Sequence, residues 1–288
     1  MIGYRLERPA VKSDTRDRRA APAAIGADAF DAFYYTHCCG KPYVRSEEWL
    51  KFFGGIADRI AADIGPRRVL DAGCAMGFLV ETLRTRGVEA FGIDLSTYAI
   101  DNVLEAVKPF CRAGSITGDL GGDYDVIISI EVAEHMPARD AEAAIANICS
   151  HTTDVIFSSS PLDYREPTHV NVHPPEYWAE QFGRHGFFRD VDYDASYILP
   201  WAARFRKRQE PMHRLVRDYE RRYWALLAEA LDARSYSTET QRRLAHAEAA
   251  LVPLTERLNQ ALDTINHMER SRFWKLRLQW LRIRKRFS

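Results

Sequence analysis

The stretch Arg68-Val69-Leu70-Asp71-Ala72-Gly73-Cys74-Ala75-Met76-Gly77-Phe78 decides how this chain folds. Val69-Leu70 is a short apolar run that reads as a buried parallel strand. The pattern from Phe78 to Leu83 reads as the helix that the strand feeds. Between them, Gly73 and Gly77 let the backbone turn tightly and approach a ligand that a Cβ would push away. A helix opening there offers unpaired N–H groups and the positive end of its dipole. Asp71 lies at the carboxyl end of the strand, where open α/β sheets bind ligands, and can accept from an ammonium or hydroxyl group.

Working outward, the spacing separates ligand classes. A dinucleotide turn would read G-x-G-x-x-G. Here the glycines are four apart, Ala75 stands where a middle glycine would be, and no phosphate-loop lysine follows. Downstream come Glu89-Ala90-Phe91-Gly92-Ile93-Asp94-Leu95, then Gly118-Asp119-Leu120, then Tyr124-Asp125-Val126-Ile127-Ile128-Ser129-Ile130-Glu131. These segments, in this order, resemble the class I S-adenosylmethionine-dependent methyltransferases. The resemblance implies an α/β Rossmann-like fold, with a seven-stranded, mostly parallel sheet and helices on both faces. It also implies that Asp71, Gly73 and Gly77 line the cofactor loop. Asp94 would hold the ribose hydroxyls and Asp119 would meet the adenine amino group, with Leu95, Leu120 and Glu131 beside the cofactor. The competing reading is a doubly wound domain with other chemistry.

The chain has 288 residues, enough for one large domain and an appendage. Forty basic and forty acidic residues cancel, so no global charge argues for nucleic acid. Five cysteines without a metal-like C-x-x-C pair fit a reduced compartment. The N-terminus has no apolar signal-peptide core, and no run of about eighteen apolar residues would span a bilayer. A cytoplasmic location is expected.

Residues 1–28 carry no clear period and read as a mobile arm. Phe30 to Pro42 is dense in aromatics. Ser46 then opens a helix with Trp49, Phe52, Phe53, Ile56, Ile60 and Ile64 at helical spacing, closed by Gly65-Pro66. The family resemblance makes this helix a lid over the cofactor, and Arg45 just ahead of it either meets the cofactor's carboxylate or is an exposed surface arginine. Alternating strands and helices follow: a helix from Ser96 to about Val107, a strand Cys111 to Ile116, a helix Ala138 to Ser150, a strand Asp154 to Ser158 and a helix Glu176 to His185. Phe187 to Ala195 and Tyr197 to Phe205 read as a closing hairpin. The methyltransferase-like domain is therefore expected over residues 29–208.

Residues 209–270 form a separate helical region. Leu244, Ala247, Leu251, Leu254, Leu258, Ala261, Ile265 and Met268 alternate in steps of three and four, the seam of a coiled coil that predicts a homo-oligomer. Pro253 would cost about 3 kcal/mol in a helix interior, so a kink or a restart is expected there. A helical hairpin folded onto the domain is the alternative. Residues 271–288 combine Phe273, Trp274, Trp280 and aliphatics with Arg272, Lys275, Arg277, Arg282, Arg284, Lys285 and Arg286. Such a tail suits the headgroup region of an anionic membrane, which would make the protein peripheral at the inner face of the cell membrane. A helix packed on a partner and a nucleic-acid tail are the alternatives. The tail also resembles the C-terminal ends of enzymes of bacterial surface-glycan pathways.

Glu131-Val132-Ala133-Glu134-His135 follows the fourth strand, at the ligand-binding end of the sheet. His135 can act as a base near neutrality. Carboxylates plus imidazole can also hold Mg²⁺, Mn²⁺ or Zn²⁺. E-x-x-E-H at this place resembles two metal-dependent branches, the ubiquinone-pathway O-methyltransferases and enzymes that methylate the terminal ribose of small RNAs. In the latter a further histidine after the fifth strand completes the site. That resemblance assigns Glu131, Glu134, His135 and His169 as ligands, with His173 a base or substrate contact. An acid–base role without metal and a purely structural role are the other readings. A metal would favour vicinal diols. With the tail, and with His169, Asn171, His173 and Trp178 as sugar-binding residue types, this points to O-methylation of a sugar hydroxyl on a bacterial surface glycan or its lipid-linked precursor. The rivals are a quinone, phenol or lipid acceptor, an RNA acceptor, and a non-catalytic scaffold.

Overall fold

A computed structural model describes residues 25–284 of the chain. Most of the expected N-terminal arm, and Lys285 and Arg286 of the tail, lie outside the described residues. The described residues divide into two units, with the boundary between Arg214 and Leu215.

In the first unit, α1 (Ala32–His37) and α2 (Glu47–Asp63) precede the sheet. Asp31 caps α1 by accepting from the N–H groups of Phe33 and Tyr34, and Ser46 caps α2 through Trp49 N–H. The strands are β1 (Arg68–Ala72), β2 (Glu89–Asp94), β3 (Cys111–Ala113), β4 (Val126–Ile130), β5 (Asp154–Ser158), β6 (Phe187–Arg189) and β7 (Ala203–Lys207). The intervening helices are α3 (Phe78–Arg84), α4 (Thr97–Asp101), α5 (Ala138–His151) and α6 (Pro175–Gly183). The strand order is β3-β2-β1-β4-β5-β7-β6, with β1 to β5 parallel and β7 antiparallel to both neighbours. This is the expected Rossmann-like sheet. Its order reverses between β1 and β4, so the loops leaving those strands diverge and leave a crevice.

The two-residue period of the strands divides the core. Val69, Ile128 and Ile156 face one layer with Ile56, Ile60 and Leu83 of α2 and α3. Leu70, Ile127, Val155 and Phe157 face the other with Ile145 of α5 and Phe182 of α6. Central strands buried on both faces need continuous apolar runs, as Val126–Ile128 provides.

Three elements are shorter than the sequence suggests. The helix after Ser96 stops at Asp101, where Asn102 bonds back to the Tyr98 carbonyl and the chain drops Val103 and Val107 into the core. The third strand ends at Ala113. The closing hairpin keeps only β6 and β7, because Asp190 and Asp194 accept from the N–H groups two residues on and form turns in place of ladder bonds.

The second unit holds all but the first turn of α7 (Met212–Arg270), which is followed by α8 (Arg272–Arg284). The α7 helix neither ends nor restarts at Pro253, and it has no buried residue. Ser271 separates the two helices and caps α8 by accepting from Trp274 N–H.

Candidate active site

The loop from Gly73 to Gly77 is held from below. The N–H groups of Gly73 and Cys74 both donate to the Ile93 carbonyl of β2, at 2.8 and 3.1 Å. Gly73 adopts φ +97°, and a Cβ there would stand 2.2 Å from Val132 Cγ2. Gly77 caps α3 at φ +70°, 3.0 Å from Cys111 Sγ by the same measure. Ala75 takes φ 45°, an uncommon conformation for a residue with a side chain. Its N–H donates to Asp94 Oδ2 at 2.7 Å, while Ser96 N–H donates to Oδ1 at 2.8 Å. Asp94 thus braces the loop as well as facing it, and burial raises its carboxyl above the usual range.

Asp71 is buried, and burial together with Asp94 pushes its carboxyl up to about 8. An unfolded aspartate ionises near pH 4. Between about pH 4 and pH 8 the unfolded chain therefore releases a proton that the folded one keeps. Stability from Asp71 is fully present below pH 4 and is lost as pH rises through about 8. A cationic ligand group placed against Asp71 reverses this by favouring the carboxylate. Binding of S-adenosylmethionine at pH 7 is expected to release a substantial fraction of a proton. Calorimetry in two buffers of different ionisation enthalpy measures it, and identical heats in both would remove Asp71 from the cofactor site.

Other residues expected at the cofactor fall differently. Leu95 is 40 % exposed beside Asp94, available to an apolar ring. Asp119 is exposed, and its Oδ1 accepts from Gly121 N–H. Leu120 is sealed in the core, so its side chain is closed to a ligand. Arg45 forms a two-bond pair with Glu81 of α3, at 2.7 and 3.0 Å. A carboxylate of the chain itself takes the guanidinium that the sequence reading offered to the cofactor.

Beyond β4 the backbone turns at Glu131, which adopts φ 54°, and a short helical turn carries Glu134 and His135. Ligand atoms of Glu134, His135 and His169 all lie within 4.8 Å of one another. Glu131, which the sequence pattern places with them, is not in this tight set, and Trp201 Nε1 donates to its Oε1 at 3.0 Å. Burial raises Glu131, and raises Glu134 well above the carboxylate range with Glu131 adding repulsion. Glu134 is fully buried; its Oε1 accepts from Ser160 N–H at 2.9 Å, and its Oε2 has no hydrogen-bond partner. Both imidazoles are oriented from behind. His169 Nδ1 donates to the Asp163 carbonyl at 2.8 Å. His135 Nδ1 donates at 2.9 Å to Thr168 Oγ1, whose own proton goes to Glu166. A neutral imidazole that donates from Nδ1 keeps the lone pair of Nε2. Burial and His169 lower His135 to about 4, so it is neutral at pH 7.

Phe30 and Tyr34 form an aromatic wall around His135, with ring centroids 5.5 and 6.0 Å away and Tyr34 Oη 3.4 Å from Nε2. No motif in the sequence marks them or Trp201 as site residues. The only signal was the aromatic density from Phe30 onward. His173 stands apart from the trio, stacked on Tyr177 at 3.8 Å. Asn171 and Trp178 are buried, Asn171 bonding to the Ala133 carbonyl and Trp178 packing on Phe157. They do not line a sugar site.

A family model described as "Methyltransferase domain" matches residues 45–190, about half of the chain. The chain belongs to this family. The domain is similar to the ubiquinone biosynthesis O-methyltransferase of Burkholderia multivorans, 31 % identical over 107 residues, covering 34 % of this chain and 46 % of the relative. It is also similar to the magnesium-protoporphyrin O-methyltransferase of Synechocystis, 32 % identical over 89 residues, covering 28 % of this chain and 39 % of the relative. The chain thus spans less than half the length of these curated relatives. Among solved structures, magnesium protoporphyrin IX methyltransferase from Synechocystis with bound SAM matches with a TM-score of 0.49 and 18 % identity, over 64 % of this chain and 97 % of that one.

Proposed function

We propose that this methyltransferase domain transfers a methyl group from S-adenosylmethionine to a hydroxyl oxygen of a small aromatic acceptor, a phenol or catechol, with help from a divalent metal. The observation that carries the reading is the Glu134–His135–His169 trio, one contact away from the cofactor loop through Val132 and Gly73. The names of the relatives support a small-molecule O-methyltransferase over a glycan enzyme. The aromatic wall of Phe30 and Tyr34 supports a flat, apolar acceptor.

The trio fits a metal on its own chemistry. A buried carboxylate oxygen without a partner beside two imidazoles, each steered by a bond to its far nitrogen, is a donor set suited to Mn²⁺ or Zn²⁺ and to a lesser extent Mg²⁺. Such an ion would supply Lewis acidity that lowers the pKa of a hydroxyl drawn to it. The cofactor supplies the electrophilic methyl group. The chain's own residues do the rest. Asp71 receives a cationic group and Asp94 a hydroxyl, while Gly73 and Gly77 keep the loop close. Phe30 and Tyr34 hold the acceptor ring and exclude water. The Nε2 lone pairs of His135 and His169 would hold the ion, so the acceptor hydroxyl that the ion acidifies gives its proton to solvent. Trp201 fixes Glu131, whose carboxylate lies beside Glu134.

Methyl transfer should be assayed on catechols, simple phenols and sugar diols, with and without chelator. Turnover confined to aromatic acceptors, lost on chelation and restored by Mn²⁺ or Zn²⁺, is expected. Methylation of sugars alone would overturn the acceptor class. Undiminished turnover in chelator would overturn the ligand assignment.

No helix among the described residues is long and apolar enough to cross a membrane. We also propose that α8 binds an anionic surface, since Phe273, Leu276, Trp280 and Ile283 are all more than half exposed among its cations. Deleting residues 271–288 is expected to release the protein from vesicles rich in phosphatidylglycerol. Equal co-sedimentation of the full and shortened chains would refute this.

A further inference from the structure

The α7 helix carries a heptad register much longer than its apolar half reveals. Assigning Leu244 to position a places Leu251, Leu258 and Ile265 at a, and Ala247, Leu254, Ala261 and Met268 at d. Read backward in the same frame, a falls on Val216, Tyr223, Ala230 and Ser237, and d on Tyr219, Leu226, Ala233 and Thr240. The register is thus unbroken from Val216 to Met268, with polar residues only at Ser237 and Thr240. The helix is continuous over this span, and Val216, Tyr223, Leu244, Leu251, Leu254 and Leu258 are each more than half exposed. Pro253 falls at c, on the side away from the seam, where the carbonyl it leaves unbonded can reach water.

The flanking charges identify the occupant of the seam. Position g carries Arg222, Glu229, Arg243 and Arg257, and position e carries Glu220, Arg234, Glu248 and Glu269. One row is mainly basic and the other mainly acidic. Parallel helices bring g of one chain to the following e of its neighbour. That juxtaposes Glu229 with Arg234 and Arg243 with Glu248, twice each in a symmetric pair, and sets no like charges opposite each other. Antiparallel helices would instead set g against g and e against e, and overlapped along the whole register they would bring the two copies of Arg243 together. The small alanines at d suit two strands, because a wider bundle would leave a void at those layers. We infer that the partner of α7 is a second copy of the same helix, parallel and in register, making the protein a two-stranded coiled-coil dimer.

The full chain tests this directly. Its mass by sedimentation equilibrium at about 1 to 50 μM is expected to be twice 33.0 kDa. Leu258→Cys, oxidised and digested, is expected to yield a peptide joined through the two copies of position 258. In an antiparallel pair overlapped along the whole register those residues would stand some tens of ångströms apart. Arg243→Glu should weaken the dimer about tenfold by setting two glutamates together, and Arg243→Glu with Glu248→Arg should restore it. A monomer at all concentrations, a mass above the dimer, or a dimer without the 258–258 link would each overturn the inference.

Discussion

Glu134→Gln should reduce methyl transfer by about a hundredfold or more while leaving the affinity for S-adenosylmethionine within about twofold. The substitution removes charge and little else. Glutamine keeps an oxygen for Ser160 N–H, and its amide can donate to the neighbouring Glu131 carboxylate. The fold is therefore expected to lose no more than about 1 kcal/mol. A structural role for the trio predicts the opposite pattern, because a buried acid pushed well above its usual range is already neutral and glutamine imitates it. Paired measurements of turnover, cofactor affinity and denaturant midpoint separate the two roles. Turnover within threefold of the parent would end the metal-assisted reading, whatever the stability.

Gly73→Ala should cost stability and cofactor affinity together. Two separate penalties act at one atom. The backbone at φ +97° disfavours any side chain by about 1–2 kcal/mol, and the added methyl would overlap Val132 at 2.2 Å, for about another 1–3 kcal/mol of overpacking. Because the displaced backbone belongs to the cofactor loop, binding of S-adenosylmethionine should weaken at least about tenfold for each 1.4 kcal/mol that reaches the bound state. Combining it with Val132→Ala should recover the steric part and leave the backbone part. A double-mutant cycle that shows simple additivity would mean that the two residues do not meet as described.

The parts of this molecule that could be read from sequence are those encoded by local pattern. The strand ending at Asp71, the turn at Gly73 to Gly77 and the acid at Asp94 each carry their signal within a few residues. So do Glu134 and His135, and His169 followed from its place after β5. What could not be read depends on contacts between distant positions. Tyr34 and His135 are 101 residues apart, Trp201 and Glu131 are 70 apart, and Arg45 and Glu81 are 36 apart. No periodicity announces such pairs. Asn171 and Trp178 misled for a related reason, since residue type gives a side chain's chemistry but not the direction in which it points. The heptads before Leu244 were hidden by composition, because Ser237 and Thr240 interrupt the apolar pattern without breaking its phase.

One segment of chain ties the two halves of the site together. Ser96 Oγ donates to the Phe30 carbonyl at 2.5 Å, Tyr43 stacks on Phe78 at 4.9 Å, and Tyr34 reaches His135. The same dozen or so residues thus touch Ser96, the start of α3 and His135, and on the proposed function they would serve the donor and acceptor sides as a common door. Loosening its latch at Phe30 would hasten the escape of spent donor and of methylated product alike, so the two departure rates should rise and fall as one.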